Sequence, residues 1–313
     1  MPMFIKYYPN KYERHQLIED LKIIRDKGYD GVFYCINKPY ETGDLTMKFF
    51  PVARMIELTK LAGLKAGIIL DCFQNPFLWQ MDIFSPPVNY LGIAYTPRNK
   101  YYPVCPNNPI GHDFYHLLLQ KTYRLGQIDY CMFENLRFPF FWQEENLDIQ
   151  HHVPPYCYCP FCVTEFSSMV GEVVSFTSQI VEMLPDWLEW RSGIIANLVY
   201  DACDALIKKT KIIISTPPLA LIDLPFATGQ LPMAYVDNGC LISPALYHPS
   251  KMGNILWVED ILDQYRIEFK MTKLFPTFKV QSENEIKQYL AIDSTENFAG
   301  LLFDNWQSLK YED

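Results

Sequence analysis

The sequence lacks an export signal, a membrane span and the short nucleotide and hydrolase signatures that can be recognised without a fold. Residues 1–10 run straight into a helical pattern, with no basic start and apolar h-region, so no signal peptide is expected. No apolar run approaches the roughly 18 residues of a membrane helix. G-x-G-x-x-G, the P-loop, G-x-S-x-G and H-E-x-x-H are missing, which argues against a dinucleotide fold, a phosphate cradle, a serine elbow and a zinc-peptidase helix. Low-complexity segments, charge blocks and an inter-domain linker are absent as well. A formal net charge of −9 disfavours nucleic acid or an anionic membrane as partner and suits a neutral ligand. Nine cysteines, an odd number, without an export signal are expected to be reduced thiols or metal ligands in a cytoplasmic protein.

What is present is a strand–helix rhythm in 313 residues, 49% of them hydrophobic and 15% aromatic. The rings fit either a well-packed core or a cleft in which sugar C–H faces stack. Residues 4–8 read as a strand, and 11–27 as a helix with Leu17, Leu21 and Ile24 on one face and Gly28 as its C′ glycine. A strand over 31–37, a helix over 49–62 ending at Gly63 and a strand over 65–71 follow. The pattern resumes with a helix over 112–126, a strand over 129–135, a helix from about Asp186 to Lys209, and a strand over 211–216. It ends with strands over 239–248, 273–280 and 298–306, separated by helices over 255–272 and 283–291. Eight near-continuously apolar strands alternating with amphipathic helices predict a parallel sheet closed into a (β/α)8 barrel, one domain spanning 1–313.

Long interruptions at 72–111 and 136–185 follow the third and fourth strands, at the C-terminal mouth where barrels keep their sites. The second carries Cys157, Cys159 and Cys162 as C-x-C-x2-C, spacing that lets thiolates occupy three corners of a zinc tetrahedron. Cys105 in the first interruption is the favoured fourth ligand, and His151 and His152 are competitors. A site of four cysteines would be structural Zn2+ joining the two mouth loops, with no open position for catalysis. The alternatives are ordinary buried cysteines or a Cys157–Cys162 disulfide.

A lone cysteine followed by C-x-C-x2-C after the fourth strand resembles the zinc site of the family 42 β-galactosidases. CPNNP (105–109), ENLRFP (134–139), CYCPFC (157–162), Gly229-Gln230 and SPALYHP (243–249) resemble uncharacterised glycosyl-hydrolase barrels related to that group. The resemblance implies a barrel glycosidase with its acids at strand ends. Glu134 ends the fourth strand, although the family order Asn-Glu is reversed here to Glu134-Asn135, with Arg137 placed to hold the carboxylate ionised. The seventh-strand glutamate of family 42 is missing; Lys279 stands at that strand's end and Glu283 begins a helix. Asp71 and Asp304, ending the third and eighth strands, are the candidates for the second carboxylate.

Candidate sugar contacts are Tyr7 and Tyr8, Asn37, Trp79, Arg137, Phe141, Trp142, Tyr247, His248 and Trp306, with Gln230 chosen on the resemblance alone. Strand-end aromatics also plug barrel tops, and His248 could simply pack. A Cys72 nucleophile has no evident base. The expected function is a glycoside hydrolase acting on an oligosaccharide or glycoconjugate; the alternative is a catalytically silent carbohydrate-binding barrel. Because family 42 enzymes are often trimers, a homo-oligomer is left open.

Overall fold

The structure is a computed structural model describing residues 1–8, 14–36, 49–81, 83–143, 147, 153–174, 177–206, 210–251, 254–292, 298–304 and 306–309. Eight strands run parallel: β1 (Met3–Tyr7), β2 (Gly31–Cys35), β3 (Lys65–Asp71), β4 (Tyr130–Glu134), β5 (Lys211–Thr216), β6 (Leu241–Pro244), β7 (Thr277–Lys279) and β8 (Leu301–Asp304). Their order is β6-β5-β4-β3-β2-β1-β8-β7, and the parallel bridges Ile242–Leu274 and Ala245–Thr277 bring β6 and β7 together. The helices α1 (Arg14–Asp26), α2 (Phe49–Leu61), α3 (Pro109–Arg124), α6 (Leu184–Leu206), α9 (Ile255–Glu268) and α10 (Glu283–Leu290) alternate with the strands. This is the (β/α)8 barrel that the periodicity predicts.

Side-chain parity decides what each strand offers. Phe4, Phe33, Ile69, Tyr130, Met132, Ile213, Leu241, Phe275 and Leu302 fill the barrel interior. Phe4 meets Phe33 edge-on at 5.4 Å and Tyr130 at 5.1 Å. Gly67 makes room for this plug, since a Cβ there would lie 2.6 Å from the Phe33 ring. Much of the aromatic content is therefore core. Above the plug the same inward columns end in Lys6, Asp71, Glu134 and Asp304, with Asp71 in register with Glu134.

Three features depart from the sequence reading. The interruption at 136–185 contains helices α4 (Pro160–Val170) and α5 (Thr177–Glu182). Helices α7 (Asp223–Thr228) and α8 (Pro232–Asp237) lie between β5 and β6, and α11 (Trp306–Leu309) follows β8. Strands β6 to β8 are shorter than predicted; β6 ends at Pro244 and β7 begins after Pro276, where proline supplies no ladder donor. Among the described residues no helix is long and apolar enough to cross a membrane.

Candidate active site and tetracysteine cluster

Strand β1 places a charge where its neighbours on the same face are aromatic. Lys6 is 1% exposed, and its Nζ lies 2.6 Å from Glu134 Oε1 and 3.5 Å from Asp304 Oδ2. Tyr8 donates its hydroxyl to Asp304 Oδ2 at 3.0 Å. Burial alone would lower the Lys6 pKa, but the Glu134 charge, followed by Tyr8 and Asp304, outweighs it and holds the ammonium above the usual lysine range. Two contacts from one nitrogen also bound the carboxylate separation. Glu134 Oε1 and Asp304 Oδ2 can be no farther apart than the sum of 2.6 and 3.5 Å, which is 6.1 Å. Sequence reasoning missed Lys6; its signal was a lone cation at an inward position of a short apolar strand.

Asp71 sits deeper, 1% exposed, and accepts a hydrogen bond from Asn135 Nδ2 at 2.7 Å. Asn135 has φ 52°, in the left-handed region that asparagine tolerates better than most residues. The order Glu134-Asn135 thus points the acid inward on strand parity and turns the amide back toward β3. Arg137 has a different task from the one expected of it. Its guanidinium donates to the Phe140 carbonyl at 3.3 Å, and its Nε is buried without a partner among the described residues, while the cation on Glu134 is Lys6. Arg137 lies near Tyr101, whose hydroxyl accepts the Phe140 N–H at 3.2 Å; burial pushes Tyr101 up to about 12, against the opposing pull of Arg137.

The expected sugar contacts divide. Trp142 packs against Tyr247, with centroids 5.0 Å apart, and against His248 at 6.2 Å, so these three come together. His248 Nδ1 lies 2.8 Å from Ser250 Oγ and accepts the Ser250 N–H at 3.3 Å, and its buried Nε2 has no partner among the described residues. Tyr101 stacks on Phe141 at 4.6 Å. Trp306 is 3% exposed, with its indole nitrogen likewise unpartnered among those residues. Trp79 is half-buried against Phe84 and Tyr95 and donates to the Pro103 carbonyl at 2.9 Å.

Two candidates lie away from the mouth. Tyr7 has the opposite parity to Lys6 and faces the helices, donating to Asp20 of α1 at 2.8 Å. Gln230 is fully buried, and its amide donates to the Ser215 carbonyl at 3.0 Å and the Leu136 carbonyl at 3.3 Å. It ties β5 to the segment after β4, leaving no donor for a ligand. Asn37, His151 and His152 lie outside the described residues. Cys72 is 1% exposed; burial, reinforced by the neighbouring Asp71, pushes its pKa well up, and its sulfur faces the Leu70 carbonyl at 3.6 Å.

Cys105, Cys157, Cys159 and Cys162 form one buried group with all sulfurs within 4.8 Å of one another. Cys105 Sγ lies 3.3 Å from Cys162 Sγ and 3.7 Å from Cys159 Sγ, and Cys159 Sγ lies 3.6 Å from Cys162 Sγ. A disulfide would hold sulfurs about 2.05 Å apart, whereas four thiolates about 2.3 Å from one ion lie about 3.8 Å apart. All four are free thiols, and the observed spacing fits a tetrahedron. Val88 N–H donates to Cys157 Sγ at 3.4 Å, and Cys159 stands at the N-cap position of α4, where the helix N-terminus favours a thiolate. The segments are also zipped by backbone, through the Asn89–Tyr156 bridge and the Tyr158 N–H to Val88 carbonyl bond of 2.8 Å. Gly111 lets α3 close over Cys105, since a Cβ there would meet Val104 at 2.6 Å.

Arg191 of α6 is fully buried beside this cluster. It donates to the carbonyls of Phe226 and Tyr156, its guanidinium lies 4.5 Å over the Phe138 ring, and its Nε has no partner among the described residues. Burial lowers its pKa, while Tyr158 and the cluster's cysteines oppose that shift. No salt bridge joins it to a carboxylate among the described residues. A buried cation needs a nearby anion, and a divalent ion held by four thiolates, net charge −2, would supply one. The donor set and this cation both fit a metal ion.

No protein-family model and no curated protein matches the chain. Solved structures do. The glycoside hydrolase domain of PgaB (BpsB) from Bordetella bronchiseptica aligns at TM-score 0.71 and 10% identity, over 97% of this chain and 93% of that one. Gan42B, a GH42 β-galactosidase from G. stearothermophilus, aligns at TM-score 0.67 and 11% identity, over 97% of this chain and 51% of its own. A β-galactosidase from the haloarchaeon Halorubrum lacusprofundi gives 0.65 and 11%, over 97% and 52%. The chain thus spans about half the length of these β-galactosidases and shares the barrel fold of glycoside hydrolases.

Proposed function

We propose that the chain is a glycoside hydrolase that cleaves a glycosidic bond in an oligosaccharide or glycoconjugate, with Glu134 and Asp304 as its carboxylate pair. The observation that carries this reading is the Lys6 ammonium joining two acids at the barrel mouth within 6.1 Å, the sum of its 2.6 and 3.5 Å contacts. Carboxyl groups about 5–5.5 Å apart serve retaining enzymes, and inverting ones need about 6.5–9.5 Å. Glu134, on the shorter contact, attacks the anomeric carbon. Asp304, on the longer contact and hydrogen-bonded by Tyr8, protonates the departing oxygen and then takes a proton from the water that releases the sugar. Trp142, Tyr247 and His248, which pack together, supply an aromatic wall for the sugar, and Asp71 supports the site through Asn135. Cys105, Cys157, Cys159 and Cys162 hold Zn2+, which fixes the segments after β3 and β4, and Arg191 balances its thiolate charge.

A binding-only barrel is the second reading, and Lys6 is also what favours it, because an ion-paired carboxylate is a poor general acid. Reducing-sugar release across a panel of oligosaccharides, run alongside calorimetric binding of the same sugars, separates the two. Turnover of any bound sugar supports the hydrolase; binding without turnover supports the silent barrel.

A further inference from the structure

We infer that the outer wall of the barrel carries a second metal site, open to solvent, formed by His112 and His116 of α3 and Asp201 of α6. The site does not depend on the glycosidase reading. Residues four apart share one helix face, the spacing by which H-E-x-x-H helices present two imidazoles to one ion. The sequence here is His112-Asp113-Phe114-Tyr115-His116, and the two rings lie 4.5 Å apart between centroids. The third donor comes from the neighbouring helix, and one donor atom from each residue lies within 4.8 Å of the others.

The framework beneath is fixed, whereas the donors can turn. Tyr115 is fully buried and donates to the Leu198 carbonyl at 2.5 Å, pinning α3 to α6 directly under the two histidines. Leu118 of α3 and Leu198 and Ala202 of α6 are buried in the same core cluster. The His116 and Asp201 side chains keep 44% and 46% exposure, which leaves solvent on one side of each. His116 Nε2 stands 3.8 Å from Asp201 Oδ2, longer than a charge-assisted hydrogen bond of about 2.7–2.9 Å, so neither group is consumed by the other. Metal–nitrogen and metal–oxygen bonds of about 2.0–2.2 Å require donors about 3.4 Å apart, which torsions of exposed side chains supply.

Two imidazoles and one carboxylate suit zinc, nickel, cobalt or copper rather than magnesium or calcium. Three protein donors leave positions for water, unlike the closed tetracysteine group, so this ion would exchange readily.

The test uses the full chain with its cysteine cluster loaded with zinc, titrated with Ni2+ by calorimetry. Comparing His112→Ala, His116→Ala and Asp201→Asn with the parent is decisive, because it separates binding at these three residues from binding at any other histidine. The parent is expected to bind one Ni2+ that each variant weakens by at least about tenfold, the smaller end of what outer-shell losses cost a metal site. Zinc content and melting temperature without nickel should be unchanged, since all three positions are on the surface. Ni2+ affinity within twofold of the parent in the variants, or no Ni2+ binding by the parent, would overturn the assignment.

Discussion

Replacing Lys6 with methionine keeps the bulk of the side chain and removes the charge between Glu134 and Asp304. Breaking a buried ion pair costs about 3–5 kcal/mol. The lower end applies here, because the two carboxylates retain 14% and 13% exposure and water can reach them once the ammonium is gone. A loss of about 3 kcal/mol corresponds to a melting temperature lower by roughly 4–5 °C in a chain of 313 residues. The pH dependence carries a further signature. In the parent the Lys6 pKa is raised on folding, so its contribution is complete below the unfolded value near about 10.4 and is lost as pH rises through the folded one. Between pH 7 and pH 5 it therefore adds no slope. In the variant two neighbouring carboxylates face each other without a cation, and proton uptake relieves them. The deficit should then shrink as pH falls. Urea denaturation of both proteins at pH 7 and pH 5, followed by far-UV circular dichroism, measures this. A deficit below about 0.5 kcal/mol at pH 7, the range of ordinary surface changes, would refute the ion-pair reasoning, as would a larger deficit of equal size at both pH values.

Cys105→Ser is expected to lower the bound zinc from one per chain toward none, measured by elemental analysis after dialysis against chelator; full retention would move the fourth ligand elsewhere. Arg191→Met should weaken zinc retention about 10–100-fold, with Arg191→Lys recovering part of it, read from zinc release to a chromogenic chelator. Asn135→Ala removes the bond to Asp71 and keeps the left-handed backbone, so a loss of about 1–3 kcal/mol is expected in denaturant melts. Gly67→Ala drives a methyl into the Phe33 ring and should cost about 1–3 kcal/mol by the same melts.

The barrel was legible because its strands are short apolar runs set apart by helices with periodic faces. Gly28 and Gly63 closed their helices as expected, with φ of 85° and 80°. The cysteine cluster was legible because three thiols in six residues leave few arrangements, and the Cys105 sulfur lies within 4.8 Å of theirs. Less was visible wherever long-range geometry decides. Tyr7 and Lys6 are adjacent in sequence yet point to opposite sides of the wall, so the choice of Tyr7 fell on the helix face. Arg137 lies three residues after Glu134 but bonds Phe140, while the cation for Glu134 comes from β1, 128 residues away. Gln230 was chosen on the family resemblance alone, and it and Gly229 serve packing between β5 and α6. Helices α4 and α5 went unread because the cysteines and prolines around them masked their periodicity.

The most direct test of the hydrolase is the rate of glycoside cleavage by Glu134→Gln and Asp304→Asn, using the best substrate of the parent protein. Each substitution should lower kcat/KM by about 10²–10⁴-fold, the usual contribution of a positioned acid or base, with sugar binding preserved. Cleavage within twofold of the parent in either variant would contradict the assignment of that carboxylate, and in both it would remove the pair from catalysis.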